Sequence, residues 1–273
     1  MATKTRVAWG PVLEHAAAVV ESYDTAVTLR QLFYRLVSAE LLPNTQSAYS
    51  TLSSRTAAAR REGWFPALID RTRSIHEYRT FTDPQSARKW LAKIYRRDRT
   101  EGQDWTVYLG VEKHGIVNQL QSWFGRLGVP IVSLGGYASQ SYVDEITEHA
   151  ESQGRPAVLI YAGDFDPSGH DIERDFVSRT NCFTDALRIA LTQEQIDEYR
   201  LPPLPGKASD TRAAGFVDKY GALMQVELDA LPPDTLRELY QDAIDGYIDM
   251  STFEQVMDRE AEERRKLTAT ESE

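Results

Sequence analysis

The sequence predicts an α/β protein in two parts, a basic helical module followed by a parallel sheet with helices on both faces. Three observations carry that expectation. From Thr106 to Leu191, short apolar runs alternate with amphipathic segments of helical period, the pattern of consecutive strand–helix–strand units. Ahead of them, three stretches show helical spacing. The charge changes sign between the two parts: residues 1–100 hold 16 Lys and Arg against 9 Asp and Glu, which leaves 15 against 32 for the remainder. A basic module joined to an acidic one fits a polyanion-binding head on a metal-binding body.

Composition narrows the class. With 41% hydrophobic and 10% aromatic residues, the 273-residue chain can bury a real core in one large domain or two. No apolar run approaches the ~20 residues that span a bilayer, and Met1–Gly10 lacks the apolar stretch of a signal peptide. The expectation is a soluble, cytoplasmic protein with no membrane partner. Cys182 is the only cysteine, which excludes an intrachain disulfide and a cysteine zinc cluster.

Taken in order, the first helix is expected over Pro11–Tyr23, where Val12, Leu13, Ala16, Val19 and Val20 recur at helical spacing. Thr28 can cap a second helix from Leu29 to about Ala39. After the turn Leu41–Asn44, a third runs from about Gln46 to Glu62, carrying Arg55, Arg60 and Arg61, and Gly63 stops it. Trp64–Ile69 follows, with Asp70, Arg71 and Arg73 just beyond. Three helices and such an extension resemble a winged helix-turn-helix, in which the third helix enters a DNA groove and the wing tracks phosphates. Pro84–Arg99 contains a basic amphipathic helix in which Trp90, Leu91, Ile94 and Tyr95 are expected to pack. The polar stretch Thr100–Asp104 is the expected linker, giving domains 1–100 and 101–273.

Beyond it the expected order is strand Thr106–Val111, helix Gly115–Leu127, strand Pro130–Leu134, helix Ser139–Gln153, strand Ala157–Ala162, helix His170–Arg179 and a strand around Ala186–Leu191. Leu201–Lys207 reads as an irregular connector. Phe216–Leu228, Pro233–Ile248 and Glu254–Glu273 read as helices. Ligands of such a sheet bind at the carboxyl ends of its strands.

Two strand ends carry the chemistry. Val107–Val111 leads into Glu112-Lys113-His114-Gly115, and Val158–Ala162 leads into Gly163-Asp164-Phe165-Asp166-Pro167-Ser168-Gly169. In a parallel sheet Glu112, Asp164 and Asp166 lie at one edge. Three carboxylates gathered there repel one another and call for a hard divalent cation such as Mg²⁺. Lys113 beside them suits a scissile phosphate. Asp171 and Glu173, and more distantly Asp210, Arg212, Glu227 and Asp229, are further candidates to reach the site.

A strand ending in Glu, followed two strands later by Asp-x-Asp and Pro-x-Gly, resembles the Toprim domain of topoisomerases, primases and certain nucleases. The form Gly163-Asp164-Phe165-Asp166-Pro167-Ser168-Gly169 looks most like the DNA-cleaving subunit of topoisomerase VI, a type IIB topoisomerase, and its relative, the meiotic double-strand-break protein. That family places a helix-turn-helix domain before the Toprim domain, with a nucleophilic tyrosine in a Thr/Ser-x-Arg-acid-x-aromatic-Tyr stretch. Thr28-Leu29-Arg30-Gln31-Leu32-Phe33-Tyr34 stands in that place, with Gln31 where the family usually has an acid.

The resemblance implies a winged helix-turn-helix followed by a Toprim domain that cleaves duplex DNA by transesterification. Tyr34 would become linked to a DNA 5′ end, Arg30 would hold phosphate at the phenol, and Glu112, Asp164 and Asp166 would bind Mg²⁺. Arg55, Arg60, Arg61, Arg71, Arg73 and Lys113 are the expected DNA contacts. The family joins the tyrosine of one protomer to the metal site of another, so a homodimer is implied. Its ATPase is a separate subunit, and this chain has no Gly-x-x-x-x-Gly-Lys loop. Two alternatives stay open: a hydrolytic Toprim nuclease in which Tyr34 packs and water attacks, and a non-enzymatic DNA-binding assembly protein.

Overall fold

The computed structural model describes residues 7–23, 27–69, 78–206 and 210–268 and is mixed α/β. Helices come first: α1 (Trp9–Glu21), α2 (Leu29–Ser38), α3 (Gln46–Arg61) and α4 (Pro84–Ile94). Strands and helices then alternate as β1 (Thr106–Val111), α5 (Val117–Phe124), β2 (Ile131–Ser133), α6 (Gln140–Ser152), β3 (Ala157–Ala162), α7 (Pro167–Thr180) and β4 (Phe183–Ala190). The remainder is α8 (Gln193–Glu198), β5 (Leu204–Pro205), α9 (Ala213–Tyr220), β6 (Met224–Gln225), α10 (Pro233–Asp245) and α11 (Met250–Thr268). Among the described residues no helix is long and apolar enough to cross a membrane.

The main sheet is four-stranded and parallel in the order β2-β1-β3-β4, with Leu109 opposite Ile131 and Val111 opposite Ser133. Every residue of β1 and β3 is buried, whereas β4 alternates at the edge. Central strands covered on both faces are apolar throughout, which is why those two runs are read so cleanly from sequence. At Gly110 a Cβ would lie 2.7 Å from Leu159 Cδ1, so β1 approaches β3 too closely there for any side chain. The Tyr240 hydroxyl donates to the Gly110 carbonyl at 2.6 Å.

Three expectations change. The helix over Phe216–Leu228 stops at Tyr220, because Gly221 takes a left-handed φ of 77° and closes the turn with its N–H on the Val217 carbonyl. The chain after it is extended, and β6 pairs antiparallel with β5, so the connector Leu201–Lys207 contains a short strand. On α4 the apolar stripe packs only in part: Trp90 and Tyr95 are half-buried while Leu91 and Ile94 are exposed. After α3, Ile69 bridges to Thr28; Asp70, Arg71 and Arg73, expected just beyond, lie outside the described residues.

The chain gathers into two compact units, each drawn from separated stretches. The first takes residues up to Arg73, Ala162–Glu173 and Ala190–Arg237; the second takes Ser74–Tyr161, Arg174–Ile189 and Glu238 onward. The expected linker Thr100–Asp104 falls inside the second unit, where Arg155 donates to the Thr100 carbonyl.

Candidate active site around Tyr34 and the Asp164–Asp166 turn

Four predicted site residues, Arg30, Tyr34, Asp164 and Asp166, belong to the first unit. Tyr34 is placed by α2, whose start is fixed by a capping box. Thr28 Oγ1 accepts the Gln31 N–H at 3.2 Å, and Gln31 Oε1 accepts the Thr28 N–H at 3.0 Å. Leu32, Phe33, Leu36 and Val37 then form a buried stripe along the helix. Tyr34 sits at its margin, only 6% exposed, edge-on to Phe33 with centroids 5.5 Å apart. It nevertheless lines a cavity of about 440 Å³, together with Arg30, Asn44, Tyr49 and Glu227.

Arg30 lies one turn ahead, its guanidinium carbon 6.0 Å from the centre of the Tyr34 ring. Its Nη2 and Nε both donate to Glu227 Oε2, and Nε lies 3.2 Å from Asp229 Oδ2. Burial disfavours this cation, but the hydrogen bond it donates to Glu227 and the charges of Glu227 and Asp229 outweigh it and raise the Arg30 pKa above its ordinary value. Glu227 and Asp229, only distant candidates by sequence, are thus direct partners of the predicted catalytic arginine.

The same segment reaches the Asp-x-Asp turn. Between those two acids, the Leu228 N–H donates to Asp164 Oδ1 at 2.7 Å, and Asp164 is buried. Phe165, fully buried, pairs its backbone with Val226 through bonds of 2.9 and 3.0 Å. Residues 226–229 therefore join the tyrosine helix to the acidic turn inside one unit. Asp166 caps α7, accepting the Gly169 N–H at 2.7 Å ahead of Pro167.

Asp166, Ser168 and Asp210 line a second cavity, of about 40 Å³. Asp210 accepts from Ser168 Oγ at 3.1 Å and from Arg212 Nε at 2.7 Å. The Arg212 guanidinium holds the Asp210 carboxyl well down, at about 2. Asp171 lies 3.7 Å from Arg212, so it is a partner of that cation.

Glu112 and Lys113 belong to the second unit, half-buried directly after β1, and the Glu112 carbonyl accepts the Gly135 N–H at 2.8 Å. Among the described residues, no group of three or more His, Cys, Asp and Glu side chains stands assembled as a metal cage. Of the expected DNA contacts, Arg55, Arg60 and Arg61 are exposed on α3, with Arg55 over the Trp9 ring at 5.1 Å. Arg71 and Arg73 lie outside the described residues. In the sequence Glu227 and Asp229 stand only as distant candidates, because the Arg30–Glu227 contact closes 197 residues of chain. Compared with known families and with curated proteins, the chain matches none.

Proposed function

We propose that the chain is a DNA-cleaving protein of the kind the resemblance implies, with a winged helix-turn-helix module and a Toprim-like sheet, acting on duplex DNA by tyrosine transesterification. One observation supports this above the others. Tyr34 and Arg30 line a common cavity, and the segment that pairs with Arg30 also hydrogen-bonds Asp164 of the Asp-x-Asp turn.

Asp164 and Asp166, with Glu112 as the third, would hold Mg²⁺. Their donors are all carboxylate oxygens, which suit a hard cation. Mg²⁺ supplies charge stabilisation to the phosphorane and to the departing oxygen. The chain's own groups do the rest. Tyr34 gives up its phenolic proton to solvent and its oxygen bonds to phosphorus, while the bond from phosphorus to the 3′ oxygen breaks and that oxygen takes a proton from water. The product is a 5′-phosphotyrosyl link and a free 3′ hydroxyl. Arg30 would turn from Glu227 to the phosphate, and Arg55, Arg60, Arg61, Arg71, Arg73 and Lys113 would hold the duplex. A homodimer would cut both strands, with or without a separate ATPase partner.

Denaturing the protein on labelled DNA with Mg²⁺ tests this reading. A covalent adduct is expected, absent in Tyr34→Phe. The low exposure of Tyr34 favours a second reading, a hydrolytic nuclease in which this residue packs. Cleavage that persists in Tyr34→Phe without any adduct would establish that reading instead.

A further inference from the structure

The second unit carries a surface that the cleavage reading does not use. Helix α4 begins with a capping box, in which Asp83 accepts the Ser86 N–H at 2.7 Å and Ser86 supports the Asp83 backbone. Its amphipathic pattern would ordinarily bury one stripe. Here Leu91 and Ile94 remain 47% and 44% exposed. Just before the helix, Phe81 is 41% exposed with its ring 5.4 Å from that of half-buried Trp90. The Arg79 guanidinium stands 5.0 Å from the Trp90 ring centre, and Tyr78 is 98% exposed. The same segment carries four exposed cations: Arg88, Lys89, Lys93 and Arg96.

We propose that this surface is a stacking platform for the unpaired bases of single-stranded DNA. Apolar exposure alone would fit several partners, and charge complementarity selects among them. Residues 78–97 contain six Lys and Arg and one acid, Asp83, whose carboxylate is taken up by the helix cap. A polyanion is therefore attracted, and a surface of aromatic rings and an aliphatic stripe rewards a polyanion that also offers flat faces. Only unpaired bases do so, because in a duplex those faces are stacked on one another. An arginine over Trp90 adds a planar cation on which a base can lie. The choice of a deoxy strand rests on the DNA reading above; the platform itself requires neither Tyr34 nor the carboxylates.

Fluorescence anisotropy with oligodeoxythymidylate, oligouridylate and a blunt DNA duplex tests it on the full chain without Mg²⁺, so that failure to cleave and failure to bind are read separately. Wild type is expected to bind oligodeoxythymidylate more tightly than oligouridylate. The double variant Phe81→Ala, Trp90→Ala should bind the deoxy strand about tenfold more weakly, with less than about a twofold change on the duplex. Trp90→Phe, which keeps a ring, should retain most of the affinity, and far-UV circular dichroism on each variant shows that the fold persists. Lys89→Ala with Lys93→Ala should flatten the dependence of the deoxy-strand affinity on salt. Unchanged binding by the double aromatic variant overturns the proposal, as does tighter binding of oligouridylate. Sedimentation that shows a wild-type dimer and a monomeric double variant, with deoxy-strand affinity retained, would make the face an interface between copies of the chain and overturn it too.

Discussion

Gln31 occupies the position where an acid was expected, and the structure shows what that position requires. Its side-chain oxygen accepts both the backbone N–H and the hydroxyl of Thr28, at 3.0 and 3.1 Å. A glutamate closes a capping box equally well, so the departure leaves the helix start, and with it the placing of Tyr34, intact. Because Gln31 is only 4% exposed, Gln31→Glu keeps the box but buries a charge and is expected to cost more than about 1 kcal/mol, while Thr28→Ala should cost about 1 kcal/mol, both read from denaturant titrations. Arg30 could be placed beside Tyr34 from the sequence because it lies one turn away on the same helix. Its engagement by Glu227 and Asp229 could not be read there, since no local spacing signals a contact closed across most of the chain.

Strands β1 and β3 were legible to the residue because each is a continuous apolar run with punctuation at its border, Pro156 before β3 and Gly163 after it. The misreading of Phe216–Leu228 has the opposite cause: apolar positions continue at helical spacing across Gly221, and only its left-handed backbone reveals the break. Helix α11 is a charged element that buries a carboxylate beside the apolar Phe253 and Val256. Glu260, with no exposed surface, receives Arg99 at 2.6 and 2.9 Å and Arg264 at 2.5 Å. The hydrogen bond from Arg99 holds the Glu260 carboxyl below its ordinary range. A carboxylate whose folded pKa is depressed stabilises fully above its unfolded value, near 4.3, and the contribution is lost as pH falls through the folded value. Glu260→Ala should thus cost about 3–5 kcal/mol at neutral pH by leaving Arg99 buried without its partner. In Glu260→Gln, thermal melts should lose less stability than wild type between about pH 5 and pH 3.

At the scale of the molecule, the alternation of strands and helices foretold the parallel sheet. The interleaving of two units could not be read, because it depends on which distant stretches share a core. The chain passes from one unit to the other at residues 73, 161, 173, 189 and 237. A fragment of residues 1–100 therefore lacks residues 162–173 and 190–237, which complete the first unit. It is expected to show helical signal without cooperative melting, measured by circular dichroism and calorimetry.

The same interleaving sets a schedule for synthesis. At about 5–20 residues per second, the tyrosine helix leaves the ribosome on the order of ten seconds or more before residues 190–237 exist to cover it. For that interval the first unit stays incomplete, which makes the nascent chain a natural client for holding chaperones.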